Sequence, residues 1–327
     1  NLMSFPRATT LILGKYERSW FRYALCAPNT AAGSTSSREM DFSIKGESVP
    51  LLTQKYGIPM ITLTTDFGPK DPDGAALRGT VWREMIQLGF SVPVVDITHA
   101  VPPRNHLDAA YIVRLSYPHY PKNSVHVVLV DSAPSADVFP IAYRADGHFF
   151  VGMNHGGMAL IRPDAEPESL VRLHFPDQAN DTHPADTVAL AAARLARGHQ
   201  LTDLGTPLAH WNNLSLQAPR VLNEGAAECI VQFIDHYGNA VTNATRSWVE
   251  SLAAGRPVHA MVRGRKVSRW PESLRDAGKP GDLFLRYNRG DYLEIGLAEP
   301  DTKANTAASL MGLQANTPIS LLFGNAR

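Results

Sequence analysis

Two acidic turns, far apart in the chain, carry the residues best suited to bind a ligand. Asp66 follows one apolar run and Asp235 follows another, and each stands beside an aromatic residue, Phe67 or Tyr237, and a glycine. Carboxylates accept hydrogen bonds from vicinal sugar hydroxyls, aromatic rings stack on purines, and a glycine lets a ligand approach the backbone. Together the two turns therefore predict one nucleoside site at a domain junction, with each turn supplying half of it. Either turn alone is more typical of an ordinary solvated turn.

The composition favours a globular protein that acts on a small molecule. The chain has 327 residues, of which 44% are hydrophobic and 19% charged, and this length suggests two domains. The formal net charge is zero without a basic stripe, which argues against a nucleic-acid partner. No apolar run approaches the roughly 18 residues that span a bilayer, which argues against a membrane protein. The two cysteines, Cys26 and Cys229, fit a reducing compartment and predict a cytoplasmic location.

Several sequence motifs that mark metal, cofactor or catalytic sites are absent from the sequence. There is no His-x-x-x-His or Cys-x-x-Cys pair, so spacing predicts no metal site. The glycine-rich loop of a Rossmann methyltransferase, the phosphate loop and the Gly-x-Ser-x-Gly elbow are absent as well. We therefore expect neither a metal nor a cofactor.

Residues 1–57 differ from the rest of the chain. Their first part is basic with the single acid Glu17, and it runs into the small, polar segment 31–37, which has the composition of a linker. This predicts an extension or leader, with three interpretations open: an organelle transit sequence, an accessory arm that packs on the fold, or additional upstream sequence. A transit sequence would direct the protein to an organelle.

Residues 58–207 are predicted to form an α/β domain. Short apolar runs alternate with helical stretches, which is typical of a mostly parallel sheet buried on both faces. A hairpin is predicted over 141–152, around Asp146-Gly147. The remaining strands are predicted at 60–64, 92–97 and 125–130, and the helices at 75–88, 105–115 and 187–196.

The helical pattern ends in a polar linker over 208–224, and residues 225–327 are predicted to form an antiparallel β-barrel domain. Their short alternating segments are typical of such a barrel. These segments are 227–234, 257–262, 282–287, 291–297 and 317–323.

Motifs along both halves resemble one family, the S-adenosylmethionine hydroxide adenosyltransferases, which are relatives of the fluorinase and chlorinase that make 5′-halo-5′-deoxyadenosine. Any one motif is weak, but seven in the family's order are specific. They are the strand-ending TDFG with Asp66 and Asp71, the segments 95–99 and 101–103, 125–127 leading to Asp131, 151–152 leading to 154–156, Thr182-His183 with Asp186, 234–239 with Thr242-Asn243, and 291–295.

The resemblance implies a fold, an assembly and a set of binding residues. It implies an α/β domain followed by a β-barrel, and a homotrimer that binds S-adenosylmethionine between the N-domain of one subunit and the C-domain of the next. Asp66 would hold the ribose hydroxyls, Asp71 and Asp235 would face the methionine ammonium, and Asn239 would assist there. The segment 287–290, with Asn288 and Arg289, would contact adenine.

The implied reaction is substitution at the ribose 5′ carbon, with methionine leaving from the sulfonium. Water is the nucleophile in the hydrolytic members, where an Asp, an Arg and a His orient it. Asp131 and His183 match that Asp and His, but Val138 or Phe139 occupies the position of the Arg. Arg104 is a conceivable substitute, although its position before a helix is more typical of a surface charge.

Two further departures lie near the reacting centre. The family's His-Gly-Arg-Asp has Ala185 in place of its Arg, and its Pro-Asp-Asn-Gly has become 153–156. Asn154 and His155 in this segment are predicted to contact the substrate, with His155 replacing a lost hydrogen-bonding group. Binding is thus better supported than the reaction.

Three functions stay open on the sequence. The first is hydrolysis of S-adenosylmethionine to adenosine and methionine, the second is a halide-dependent synthase, and the third is a non-catalytic nucleoside-binding homologue. Halide users lack the Asp at the position of Asp131, so its presence, together with His183, favours water as the nucleophile.

Overall fold

The apolar runs of the N-terminal half form a seven-stranded mixed sheet. The computed structural model describes residues 58–133, 135, 137–163, 165–175, 183–299 and 305–324, so the predicted extension over 1–57 lies outside the described residues. The strands are β1 (Ile61–Thr65), β2 (Val94–Thr98), β3 (Val125–Leu129), β4 (Pro140–Ala145), β5 (His148–Met153), β6 (Ser169–Leu173) and β7 (Gly205–Pro207). Their order across the sheet is β2-β1-β3-β5-β4-β6-β7.

The first four strands in this order, β2, β1, β3 and β5, are parallel, and the other three pair antiparallel. Every residue of β1 and β3 is buried, as expected of central strands covered on both faces. The predicted hairpin between β4 and β5 is confirmed. Its tip, Asp146-Gly147, has positive φ at both positions, which is the backbone that a tight two-residue hairpin turn requires.

Helices cover both faces of this sheet. The described helices of this half are α1 (Asp73–Gln87), α2 (His106–Ser116) and α3 (Pro184–Arg197). Residues of α1 and α3 share one apolar core with β1 and β3, whereas α2 and the 3-10 helix Gly157–Ile161 contribute to the core on the other face. The carboxyl ends of β1, β3 and β5 therefore open at one edge of a sheet that is held rigid from both sides.

The C-terminal half folds into a nearly closed antiparallel barrel, as predicted. Its strands are β8 (Arg220–Asn223), β9 (Ala226–Ile234), β10 (Ala240–Thr245), β11 (Val258–Val262), β12 (Arg265–Val267), β13 (Leu283–Tyr287), β14 (Tyr292–Leu297) and β15 (Pro318–Phe323). The order is β12-β11-β15-β9-β10-β14-β13, with β8 beside β9. The Leu285 N–H on β13 donates to the Arg269 carbonyl just after β12 at 2.8 Å, which draws the two ends of the sheet together.

The helices of the barrel half are short, α4 (Arg246–Ala253) and α5 (Ala307–Met311). Within the described residues, no helix has the length and apolar character needed to cross a membrane. One detail differs from the sequence expectation, because the polar linker over 208–224 ends in β8, which pairs with β9. The proposed domain boundaries remain a prediction.

Helix α2 joins the two halves of the chain. Tyr111 stacks on Phe233 of β9 with ring centroids 4.5 Å apart, and its hydroxyl accepts a hydrogen bond of 2.9 Å from the Asn288 amide. Arg114, one turn further along, donates to the Tyr292 hydroxyl at 3.0 Å and to the Leu160 carbonyl at 2.8 Å. These contacts attach the turn between β13 and β14, and the start of β14, to α2.

Candidate functional site

Two carboxylates meet at the carboxyl edge of the parallel strands. Asp66 follows β1, Asp131 follows β3, and both are half-buried. The Asp66 Oδ2 accepts two backbone hydrogen bonds, from the Asp131 N–H at 3.2 Å and from the Arg104 N–H at 2.9 Å. Asp66 therefore fixes the backbone of the two segments beside it, and Asp131 is held next to Asp66 in a defined position.

Arg104 and Asp131 form an ion pair at this edge. The Arg104 Nε lies 3.6 Å from the Asp131 Oδ1. Both residues have positive φ, 62° and 52°, a conformation that is uncommon for side chains with a Cβ and that clusters at functional sites. The Arg104 side chain is 81% exposed, so solvent screens the pair and leaves the guanidinium free to move.

Two imidazoles complete the group around Asp131. His106 begins α2, His155 follows β5, and their ring centroids are 5.2 Å apart. The His155 Nε2 donates to the Asp131 backbone carbonyl in a short contact. Burial lowers the pKa of His106 below its usual value, and the neighbouring His155 lowers this pKa further, while the Asp131 and Asp66 carboxylates oppose the shift.

The loop that carries His155 is tied to the linker after β7. The buried Asn154 accepts a hydrogen bond from the Asn212 N–H at 2.9 Å, and its carbonyl accepts another from the Asn212 side chain at 2.7 Å. Both oxygens of Asn154 are thus used within the fold. Asn154 supports the position of His155, and any contact of Asn154 with a substrate stays a prediction.

The second acidic turn is held together by its own hydrogen bonds. The Asp235 carboxylate accepts from the Tyr237 N–H at 2.9 Å, from the Asn239 N–H at 2.8 Å and from the Asn239 side-chain amide at 2.8 Å. Tyr237 is 69% exposed beside this turn. Asn239 therefore orients Asp235, and the tyrosine ring is available to a ligand or to another chain.

A cavity of about 840 Å³ lies between this turn and the start of α2. Asp235, Tyr237 and Phe233 line its barrel side, and Asn105 and Asp108 line its α2 side. Burial raises the pKa of the Asp108 carboxyl, and a hydrogen bond between this carboxyl and the Asn105 side chain partly opposes the shift. The cavity has the size of a small-molecule site, which typically spans about 300–1,000 Å³.

The other predicted residues occupy more varied positions. Phe67 is half-buried and packs against the core beneath α1 and α3, whereas Asp71 is exposed just before α1. His183 is the N-cap of α3, where its Nδ1 accepts from the Ala185 N–H at 3.2 Å. The Asn288 side chain is used in the turn after β13 and in its bond to Tyr111, and Arg289 is exposed.

The structure thus brings some of the predicted site residues together in one chain and leaves others apart. Asp66, Asp131 and His155 share the sheet edge, and Asp235, Tyr237 and Asn239 share the barrel turn. Among the residues that the structure describes, no hydrogen bond or ion pair joins the first group to the second. The predicted convergence of His183 with Asp131 remains a prediction.

Sequence reasoning missed His106 altogether. It gave Arg104 as a conceivable substitute for the missing Arg and as more typical of a surface charge before a helix, and the side chain is indeed 81% exposed at that position while it pairs with Asp131. No local spacing could have found His106, because its neighbours Asp131 and His155 come from separate loops. The one available signal was position, since His106 begins a predicted helix directly after a strand of the parallel sheet, where ligand sites are common. The expectation of no metal site rested on local spacing, and spacing does not test groups assembled in this way.

Comparisons with known proteins identify a family for both halves of the chain. Residues 61–205 match the N-terminal domain of SAM hydroxide adenosyltransferases, and residues 229–320 match their C-terminal domain. A protein of Salinispora arenicola named (R)-S-adenosyl-L-methionine hydrolase is 34% identical over 285 residues, which cover 81% of this chain and 98% of that protein. A protein of the same name from Thermus thermophilus is 29% identical, over 72% of this chain and 94% of its own length.

Solved structures share the architecture. An uncharacterized conserved protein of Thermotoga maritima superposes with a TM-score of 0.68 at 21% identity, over 80% of this chain and 99% of its own, which speaks for the fold alone. A conserved hypothetical protein of Thermus thermophilus has a TM-score of 0.63 at 26% identity, and the match covers 81% of this chain and 99% of that protein. The fold joins a mixed α/β sheet, with carboxylates at the carboxyl edge of its parallel strands, to an antiparallel barrel. The chain belongs to the SAM hydroxide adenosyltransferase family.

Proposed function

We propose that this protein hydrolyses S-adenosylmethionine to adenosine and methionine by attack of water at the ribose 5′ carbon. One observation carries the proposal: Asp66 and Asp131 are hydrogen-bonded at the sheet edge, in a chain 34% identical to a protein named (R)-S-adenosyl-L-methionine hydrolase. The name of that relative also specifies the sulfonium epimer, so we propose the (R) epimer as the preferred substrate.

The substrate supplies much of its own activation, because a sulfonium leaves as a neutral thioether. A bond forms between the water oxygen and the 5′ carbon, and the carbon–sulfur bond breaks with its electron pair on sulfur. One water proton stays on the new 5′ hydroxyl and the other is released. The protein's task is to align the water with the carbon–sulfur bond and to strip its solvation.

In this proposal Asp66 accepts hydrogen bonds from the ribose hydroxyls, and Asp131 orients the water and accepts its proton. His183 fixes the direction of the water. Asp71, Asp235 and Asn239 bind the methionine end. The remaining proposed contacts to the nucleoside come from Phe67, Asn154, His155, Tyr237, Asn288 and Arg289.

The proposed site lies between the N-domain of one subunit and the C-domain of the next in a homotrimer. Two observations support this arrangement. Asp66 and Asp235 belong to different sheets without a direct bond among the described residues, and Tyr237 is largely exposed on the barrel surface. An exposed aromatic ring beside a carboxylate suits a site that a second chain completes.

The test is to incubate the protein with a mixture of both sulfonium epimers in ¹⁸O-water, with and without chloride, and to resolve the products. We expect adenosine that carries ¹⁸O in its 5′ hydroxyl, unlabelled methionine, and faster loss of the (R) epimer. Formation of 5′-chloro-5′-deoxyadenosine would instead identify a halide-dependent synthase. Tight binding of S-adenosylmethionine with no product over hours would identify a binding protein and overturn the proposal.

A further inference from the structure

The group around Asp131 has the composition of a metal site. His106, Asp131 and His155 each offer a ligand atom, and these atoms all lie within 4.8 Å of one another. Ligand atoms around one tetrahedral ion bonded at about 2.0–2.2 Å lie roughly 3.3–3.6 Å apart, so small side-chain rotations bring all three to one ion. Two imidazoles and one carboxylate form a common ligand set for divalent transition metals.

The bonding capacity of these side chains is not used up by the fold. Among the described residues, neither ring nitrogen of His106 has a hydrogen-bond partner, although the side chain is half-buried. His155 uses one nitrogen, Nε2, to donate to the Asp131 carbonyl, which leaves Nδ1 as the nitrogen with a lone pair for a ligand. Two neighbouring imidazoles with spare lone pairs are what a cation would bridge.

The surrounding residues hold the three ligands in place. The His155 bond to the Asp131 carbonyl fixes the ring, as the outer hydrogen bonds of metal-bound histidines do. Asp66 anchors the Asp131 backbone. Gly157 makes room for His106, because a Cβ at position 157 would lie 2.8 Å from the His106 Cβ and 2.9 Å from its Nδ1. The site therefore has a supporting shell as well as ligands.

We propose that His106, Asp131 and His155 bind one divalent first-row transition metal ion, of the type of Zn²⁺, with a coordination position left open to water. The carboxylates of Asp131 and Asp66 balance its two positive charges. The Arg104 guanidinium, which pairs with Asp131 when no ion is bound, is exposed enough to turn into solvent.

The ion has a consequence that rests on the proposed function. A zinc-bound water has a pKa near about 7, against about 15.7 for bulk water, so the ion supplies a hydroxide at neutral pH. The hydroxide oxygen then bonds to the ribose 5′ carbon, and the carbon–sulfur electron pair leaves with methionine. This would replace the stabilisation that relatives draw from the Arg whose place is taken here by Val138 or Phe139.

Metal binding is tested directly, without any assay of activity. The full chain, free of affinity tags and stripped with a chelator, is titrated with Co²⁺ by visible absorption and with Zn²⁺ by calorimetry. We expect one equivalent to bind, and His106→Ala and His155→Ala each to weaken the affinity at least about tenfold. His119→Ala, which removes an exposed imidazole elsewhere, is the matched control and should bind as the wild type does.

A further variant distinguishes the loss of a metal ligand from damage to the fold in the histidine variants. Arg104→Ala removes the cation that competes for Asp131 and should tighten Co²⁺ binding, which a damaged fold would not do. The proposal fails if the wild type binds no equivalent of Co²⁺ or Zn²⁺, or if both histidine variants bind as tightly as the wild type.

The same samples separate this proposal from the proposed function. Adenosine formation by protein that binds no metal would overturn the metal site and leave the hydrolase standing. Metal binding without adenosine formation would support the metal site and overturn the hydrolase. If the protein both binds metal and forms adenosine, a chelator tests the metal-bound hydroxide. Loss of adenosine formation on chelation and its return with Zn²⁺ would support this hydroxide as the nucleophile. Turnover that is insensitive to the chelator would overturn it.

Discussion

The Asp66 carboxylate has two partners inside the fold, and this changes how its role in binding must be tested. We predict that Asp66→Ala weakens S-adenosylmethionine binding by about 1–3 kcal/mol or more, since ribose hydroxyls would lose a paired acceptor. The alanine also leaves the N–H groups of Arg104 and Asp131 without their acceptor. Asp66→Asn keeps a carbonyl oxygen for them, so it should bind poorly while melting near the wild-type temperature. Calorimetric affinity equal to the wild type in Asp66→Asn would remove the assignment.

Asp131 should act on turnover rather than on binding. We predict that Asp131→Asn lowers the rate of adenosine formation by about 10²-fold or more, because the amide cannot accept a proton from water and is a poor ligand for a metal ion. The dissociation constant for S-adenosylmethionine should stay close to the wild-type value. On one preparation, chromatography of a single turnover measures the rate, and calorimetry measures the dissociation constant. Asp137→Asn, an exposed carboxylate further along the same loop, is the control. A parallel loss of affinity would instead make Asp131 a binding residue.

The packing of β5 against β3 should leave no room for an added methyl group at Gly152. A Cβ at Gly152 would lie 2.4 Å from the Val128 carbonyl and 2.8 Å from the Met158 sulfur. We predict that Gly152→Ala destabilises the protein by about 1–3 kcal/mol or more in urea unfolding. Gly79→Ala, on an exposed part of α1 with open space around it, should instead stabilise it by about 0.5–1 kcal/mol. Equal midpoints for the two variants would contradict this packing.

A buried histidine pair links β3 to β5 and makes stability depend on pH. His126 and His148 are fully buried, with the His126 Nε2 3.2 Å from the His148 Nδ1 and the His126 Nδ1 2.8 Å from the Thr62 hydroxyl. Burial lowers the pKa of His126 to about 3, with a further contribution from His148, and burial lowers the pKa of His148 to about 4. Both are neutral in the folded protein at neutral pH.

The unfolded chain takes up protons at these histidines near about pH 6.5, whereas the folded chain does so only near the lowered pKa values. We therefore predict that the free energy of unfolding falls as the pH drops below about 6.5, by about 1.4 kcal/mol per pH unit for each histidine. Urea unfolding across this range gives the slope, and His148→Asn should make it shallower. The wild-type slope in His148→Asn would contradict the assignment.

The sequence predicts an element or a site residue well when the pattern that marks it lies in neighbouring residues. It predicts less where distant residues decide the structure. β1 and β3 were predictable because strands buried on both faces leave short runs rich in apolar and β-branched residues. β10 was not, because its segment is interrupted by Asn243 and owes its strand to pairing on both sides, with β9 and β14. The grouping of His106 with Asp131 and His155 was not predictable either, since two loops and the start of α2 supply these residues and only the fold brings them together.

The assembly of the chains determines which chain completes the site. The resemblance places the site between subunits, which requires a head-to-tail interface that closes into a ring of three. The cavity between Asp235 and the start of α2 in one chain is the competing location. We predict a homotrimer, and light scattering at micromolar concentration should give three times the chain mass of 35.7 kDa. A monomeric mass would count strongly against it.

Complementation between variants decides the location of the site. Asp66→Asn damages only the N-domain half and Asp235→Asn only the barrel half, so each alone should be inactive. If one chain's N-domain meets the next chain's barrel, co-expressed variants assemble trimers in which about a quarter of the sites carry neither change. We therefore predict that adenosine formation returns to about a quarter of the wild-type rate in the whole co-expressed sample, and to about a third in trimers purified as mixed ones. If each site lies within one chain, every site carries one of the two changes, and the mixture stays as inactive as its parents.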